Sequence, residues 1–319
     1  MCGYFDQQNV KEYTRKDINS MNWEHYYRLQ DIHNWLKDMT EAHPGVVKLK
    51  RIGKSYFNRS ILAVRVKHKK GKPRPAVMIE GGIHAREWIS PAVVTYLINQ
   101  IARAPLSNDD ELKNISYGYD WYFVPVLNPD GYEYTHTKDR LWRKNRKGFG
   151  IDLNRNFDVQ FGTVFTDLIP FGETYCGPHA FSEPESQAMK SLVELKTKQL
   201  KYYIALHSYG QAMLLPTIKP RTKIYNKLYA MCKYASTNIY ERYKTRYSFG
   251  TGAETIGYDA VGVSAFWVNA AHRVPYSLVI ELRDRGRHGF SLPTSEIQPT
   301  GEEILYGLKS LLNPPADLP

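Results

Sequence analysis

In the stretch MIEGGIHAREWISPAV, residues 78–93, His84 and Glu87 stand three residues apart, just after an apolar run and a Gly-Gly pair, with Arg86 between them. Residues three apart can face one way on a helical turn. An imidazole nitrogen and a carboxylate oxygen can then reach one ion lying about 2.0–2.2 Å from each. A catalytic zinc takes three protein ligands and keeps one position open for water, and His207 in IALHSYG is the best third ligand. H-x-x-E alone is a weak signal, since a surface histidine and glutamate reach that spacing by chance. The H-E-x-x-H metalloprotease helix is absent.

For these residues to meet, the elements that carry them must converge. Strands are expected over 75–80 (PAVMIE), 120–127 (DWYFVPVL, closed by an NPDG turn at 128–131), 201–206 (KYYIAL) and 276–282 (YSLVIEL). Two further β runs, 46–53 and 60–68, are joined by the polar KSYFNR and form a hairpin. Helical periodicity predicts helices over 23–39, ended by HPG at 43–45, and over 182–199, 222–243 and 300–312. Another is expected over 90–103, with Ser90 as N-cap and Pro91 at its first position. This alternation predicts an α/β fold: a single domain, a central mixed twisted β-sheet with helices on both faces, and the hairpin as an antiparallel edge. His84, Asn128 and His207 lie just past three of the strands, and Glu281 lies near the end of a fourth. In open α/β sheets ligands bind beyond the carboxyl ends of the strands. Four distant segments thus deliver polar groups to one rim.

At 319 residues, 42% hydrophobic and 24% charged, the chain has the composition of a globular protein with a sizeable core. No apolar run approaches the roughly 20 residues of a membrane-spanning helix, and residues 1–30 lack the apolar region of a signal peptide. Lys and Arg number 43 against 32 Asp and Glu, a surplus of 11. That charge is dispersed rather than gathered on one stripe, which argues against a nucleic-acid partner. The three cysteines, Cys2, Cys176 and Cys232, allow at most one intramolecular disulfide and lack the short spacing of a zinc knuckle. Asn58 and Asn114 open glycosylation sequons, a weak hint of secretion.

The segments GGIHAREWISPA, NPDGYEYTHTKDRLWRKNR, GIDLNRNFD, ALHSYGQ, TIGYDA, IELRDRGRHGFSLP and EIQPTGEEI follow one another along the chain. In order and approximate spacing the chain resembles the zinc carboxypeptidases of the pancreatic A/B type, from about Trp23 to the C-terminus, and within them an insect digestive member. The resemblance implies one zinc per chain, with His84, Glu87 and His207 as ligands. It makes Glu281 the catalytic glutamate, which takes a proton from water and passes it to the leaving amine. Arg143 would face the developing oxyanion. Asn154, Arg155 and Tyr258 would clamp the substrate's terminal carboxylate, a task that suits arginine's paired donors. Arg86, Arg140, Ser208, Tyr209 and Phe290 would line outer subsites. Taken alone, Arg143 and Arg155 also suit a solvated basic surface, and Glu281 a structural ion pair.

In that family the pocket for the leaving side chain has its floor two residues before a tryptophan, here Ala265. Basic-specific members place an aspartate there and apolar-specific members an aliphatic residue. Ala265 matches neither well, but Ile218, Val263 and Val279 on neighbouring positions are apolar. A lysine or arginine buried against them would lack a counter-charge. The expected preference is for apolar or aromatic C-terminal residues. Asp259 and Glu254 leave a basic preference as the alternative. A family disulfide bracketing DLNRN is expected to be missing, with Phe171 where a cysteine would stand and Cys176 displaced. Residues 1–15 read as the tail of a pro-segment or a tag, with a trypsin-type processing site near Arg15, and 16–319 as the catalytic domain. The resemblance further implies secretion into a gut lumen, peptide and protein substrates with a free C-terminal carboxylate, proteinaceous carboxypeptidase inhibitors, and a monomer with no membrane partner. Two rival classes are a zinc amidase of the same fold and a binding protein that has lost the chemistry, though all four residues of the centre are retained.

Overall fold

Runs rich in Val, Ile and aromatics form the strands, because branched and flat side chains pack well on a pleated surface. The structure, a computed structural model, describes residues 14, 17–68, 71, 74–217 and 222–318. The proposed pro-segment remnant, apart from Thr14, its processing site, Cys2 and Ile218 therefore lie outside the described residues. The strands are β1 (Val47–Lys54), β2 (Ser60–Val66), β3 (Ala76–Glu80), β4 (Asp120–Val124), β5 (Leu200–His207), β6 (Ala212–Leu214), β7 (Ser248–Gly250) and β8 (Tyr276–Glu281). They join in one eight-stranded sheet, in the order β1-β2-β4-β3-β5-β8-β6-β7. The inner strands β4, β3, β5 and β8 run parallel. The β1–β2 hairpin is the expected antiparallel edge. β2 also pairs antiparallel with β4, and a third antiparallel step, β6 against β8, goes beyond the sequence expectation, since three-residue β6 and β7 are too short to give a periodic signal.

The helices are α1 (Leu29–Ala42), α2 (Ile89–Arg103), α3 (Asp110–Gly118), α4 (Pro129–Thr137), α5 (Pro184–Lys196), α6 (Lys223–Tyr243), α7 (Gly252–Thr255), α8 (Ser264–His272) and α9 (Ile297–Leu312). They cover both faces. On one, Ile32, Leu97, Leu112, Met231 and Leu308 pack against Tyr202, Ile204, Leu206 and Ile280. On the other, Met189, Leu192 and Val268 pack against Met78, Tyr203, Ala205 and Val279. Side chains alternate along a strand, so His207 follows Tyr203 and Ala205 in parity, and Glu281 follows Val279. His207 and Glu281 are direct register partners on β5 and β8. Both therefore belong to the α5/α8 face, at the carboxyl end of the sheet.

Three local expectations need correction. The first helix starts at Leu29, not Trp23, because Trp23 has a left-handed φ of 57° and Arg28 is extended. NPDG opens α4 instead of closing a turn: the Asn128 side chain caps the Gly131 N–H, and Pro129 takes the first position. Ser90 lies inside α2 and caps nothing; its hydroxyl donates to the Leu206 carbonyl at 2.6 Å and accepts the Gly82 N–H at 3.1 Å. That bond fixes the segment bearing His84 to β5, the strand bearing His207.

Candidate metal centre and substrate cleft

After β3 the chain makes a tight passage through Gly81 and Gly82, where any Cβ would strike Pro125 and the start of α2. It then places His84 and Glu87 in a short turn, with the Glu87 N–H bonded to the His84 carbonyl at 3.3 Å. The Nδ1 atoms of His84 and His207 face each other at 3.1 Å. The Glu87 carboxylate lies 2.8 Å from the first and 3.1 Å from the second. His84, Glu87 and His207 are all buried and offer ligand atoms within 4.8 Å of one another. Two ring nitrogens so close are the arrangement expected around one cation with bonds of about 2.0–2.1 Å, and the N, N, O donor set is that of a catalytic zinc.

The electrostatics agree. Burial alone would favour a neutral Glu87, yet His84 and His207 hold its carboxyl far below the usual range. His207 is pushed up to about 9: burial opposes a charge there, but Glu87, Glu281 and Glu80 outweigh it. The pocket is thus built to hold positive charge. Glu281 behaves oppositely. Burial raises its carboxyl to about 7 and Glu87 adds to the rise, while His207, Arg143 and Arg155 act against it.

The other nitrogen of His84 is also fixed. Its Nε2 meets Asp152 Oδ1 at 2.9 Å, while Asp152 Oδ2 takes Arg143 Nε and Nη2 at 2.9 and 2.8 Å. Asp152 is fully buried and held well below the ordinary carboxylate range: burial works against the charge, and Arg143 and then His84 overcome it. Asp152 stands within DLNRN, and no role for it is expected from the sequence. The signal was the need of any metal-ligating histidine for a partner on its second nitrogen. Asp152 also caps the short turn Leu153–Arg155. Asn154 Nδ2 then sits 3.3 Å from His207 Nε2, and its Oδ1 accepts the Ser264 N–H at 3.0 Å, so the α8 start is tied to the centre.

A cleft of about 510 Å³ opens over these residues. His84, Glu87, His207, Glu281, Arg143, Asn154, Arg155, Tyr258, Ser208, Tyr209 and Phe290 all border it. A larger groove of about 680 Å³ near α1 contains none of this chemistry. Two expected subsite residues lie behind the rim. Arg140 is nine-tenths buried, donates to the carbonyls of Arg86 and Phe290, and stacks over Trp88 at 3.7 Å. Arg86 stacks over Phe290 at 4.3 Å and pairs with Glu173 at 3.0 Å. Ala265, the expected pocket floor, is fully buried and does not border the cleft. The apolar wall comes from Leu214, Ile256, Val263, Phe266 and Val279. Asp259 and Glu254 are committed to loop backbone, accepting the Ala253 and Thr251 N–H groups at 3.0 and 2.8 Å. Asn128, expected at the rim, is buried and ties Ile83 to Lys144 through their carbonyls. Cys176 and Cys232 are free. Where the family bridge would lie, the Phe149 and Phe171 rings meet at 4.6 Å.

Residues 32–307 match the family model of zinc carboxypeptidases. The chain is 38% identical to zinc carboxypeptidase A 1 of Anopheles gambiae, over 97% of its own length and 72% of that protein's. It is 35% identical to carboxypeptidase B of Astacus astacus, over 92% and 98%. Its backbone is similar to bovine thrombin-activatable fibrinolysis inhibitor, solved in complex with a tick carboxypeptidase inhibitor, with a TM-score of 0.82 and 35% identity over 91% of this chain and 97% of that one. The fold and site define a zinc-dependent hydrolase. More narrowly, this chain belongs to the zinc carboxypeptidase family and is a metallocarboxypeptidase with zinc as its cofactor.

Proposed function

We propose that this enzyme, acting through residues 16–319, removes the C-terminal residue of peptides and proteins and prefers apolar or aromatic side chains there. The observation that carries the preference is the cleft wall of Leu214, Ile256, Val263, Phe266 and Val279, bordered among the described residues by no carboxylate besides Glu87 and Glu281 at the centre. The buried acid Glu80 is engaged by the hydroxyls of Tyr203 and Ser264 and does not border the cleft. A lysine side chain there would lose its hydration without gaining an ion pair.

In this reading Arg155, with Asn154 and Tyr258, holds the terminal carboxylate. The Asn154 carbonyl and Asp167 steady the arginine at 2.9 and 3.4 Å. Zinc held by His84, Glu87 and His207 supplies Lewis acidity, which polarises a carbonyl and lowers the pKa of water to roughly 7. Glu281 takes the proton of the attacking water and returns it to the leaving nitrogen, and the burial that raises its carboxyl suits it to carry that proton. Arg143, fixed by Asp152, faces the carbonyl oxygen as charge builds on it. Arg86 and Arg140 hold the rim formed by Tyr209 and Phe290. Secretion into a gut lumen fits the digestive character of the resemblance. A protein inhibitor that fills the cleft would follow the complex formed by the bovine relative.

The test compares kcat/KM on blocked dipeptides ending in Phe, Leu, Lys and Glu, before and after chelation and zinc return. Phe and Leu substrates should exceed Lys by roughly tenfold or more, the cost of leaving one buried charge unpaired. A Lys peptide turning over fastest overturns the preference, and zinc binding without release of any C-terminal residue overturns the activity.

A further inference from the structure

We infer that the basic groove beside the cleft is a docking subsite for an acidic stretch of the substrate chain, upstream of the bond that is cut. The inference rests on the carboxypeptidase reading and adds a substrate class to it. The outer wall of the cleft is the Tyr209–Phe290 pair, with ring centres 4.9 Å apart. Tyr209 lies flat enough on the 284–290 loop that a Cβ at Gly289 would meet its ring at 3.0 Å, and one at Gly286 at 3.5 Å. That loop is therefore one wall with two sides. On its far side opens a second groove, of about 450 Å³, bordered by five cations, Lys244, Arg246, Arg283, Arg285 and Arg287.

Two carboxylates share that border, and both are already engaged. Asp284 accepts three backbone N–H groups of its own loop, those of Gly286, His288 and Gly289, at 2.7, 2.7 and 3.2 Å. Glu296 takes Arg283 Nη1 at 2.7 Å. The other four cations are exposed. Lys244 donates to the Glu241 carbonyl, Arg285 to the Arg246 carbonyl, and Arg246 stacks on Tyr240 at 4.6 Å. Among the described residues no carboxylate pairs with Lys244, Arg246, Arg285 or Arg287. Neutral partners thus hold three of these side chains in place and leave their charge unopposed. A concave surface of one sign focuses the field and raises the local concentration of an oppositely charged ligand. A peptide held by its terminal carboxylate at Arg155 leaves the cleft across Tyr209 and Phe290, so its upstream residues emerge beside this basic groove.

The experiment uses peptides with one common apolar C-terminal pair and an upstream segment of Glu, Ser or Lys at matched length. The wild type should turn over the Glu series about tenfold faster than the Ser series in kcat/KM at low ionic strength, mostly through KM, and lose the advantage as salt rises. An Arg285→Ser/Arg287→Ser variant should bring the two series to within about twofold while hydrolysing blocked dipeptides at the wild-type rate, which also shows that it is folded. Equal wild-type rates on all three series, or a preference that survives in the variant, overturn the inference. Should no peptide be cut, the carboxypeptidase reading has failed. Fluorescence anisotropy of an acidic peptide amide then decides the groove: binding lost in the variant supports it, and binding unchanged overturns it. Retention on a sulfated polysaccharide that falls in the variant, with no change in peptide preference, assigns the groove to a glycan and overturns the inference as well.

Discussion

A histidine that gives one nitrogen to a cation needs its other nitrogen fixed, and His84 gives Nε2 to Asp152, whose second oxygen holds Arg143. One carboxylate therefore sets together the proposed metal ligand His84 and the proposed oxyanion cation Arg143. Asp152→Asn keeps the shape, but it removes the charge that orients His84 and leaves the buried Arg143 less balanced. The expected result is a loss of about 10–100-fold in zinc affinity, read by chelator competition, together with a fall in kcat at saturating zinc. An Asp152→Asn enzyme within threefold of wild type on both counts would reduce this carboxylate to packing. That His84, Glu87, His207 and Glu281 gather at one cleft was legible from their placement at strand ends, and the roles proposed for them came with the family resemblance. Asp152 was harder to read, because its partner His84 lies 68 positions away and nothing local marks it.

At the scale of elements, the site depends on how closely segments approach. Gly262, between the Tyr258 loop and α8, has φ +64°, and a Cβ there would lie 2.2 Å from the Arg155 carbonyl oxygen. Its own carbonyl accepts the Phe157 N–H at 3.2 Å. Gly262→Ala must push the Leu153–Arg155 turn away. It should destabilise the fold by about 1–3 kcal/mol, and at temperatures where it stays folded it should raise KM for substrates with a free C-terminal carboxylate. Calorimetry with steady-state kinetics checks both; a stable variant with unchanged KM would show that the turn yields freely. The long strands and helices were readable from periodicity. The NPDG helix, the late start of α1 and the burial of Ala265 were not, because a helical period does not report where a chain turns or which side chains its fold covers. Asn128 is pinned by Ile83 and Lys144, and the cleft wall is assembled from β6, the 256–263 loop and β8.

For the molecule as a whole, carboxylates with shifted pKa values tie stability to pH in opposite directions. Asp109 and Asp284 are held below their usual value despite the opposing effect of burial, the first by Lys309 and the second by backbone N–H groups. Their contribution is present above the unfolded value and disappears in acid. Glu185, at the start of α5, is fully buried and pushed up to about 7, first by burial and then by Glu183 and Asp130, with Asn145 opposing. Its folded value exceeds its unfolded one, so the native state takes up a proton between about pH 4.5 and 7. The associated stability is fully present below that window and is lost as pH rises through it, at a cost on the order of 3 kcal/mol. Glu185→Gln carries no charge at any pH and can still accept from Asn145, whose loop bears Arg143. Urea unfolding of wild type and variant should nearly coincide at about pH 4.5 and diverge by about pH 8, with the variant the more stable. Curves that stay superimposed at both pH values would mean that the folded chain holds Glu185 ionised without penalty, and that the acid side of its stability profile comes from the aspartates alone.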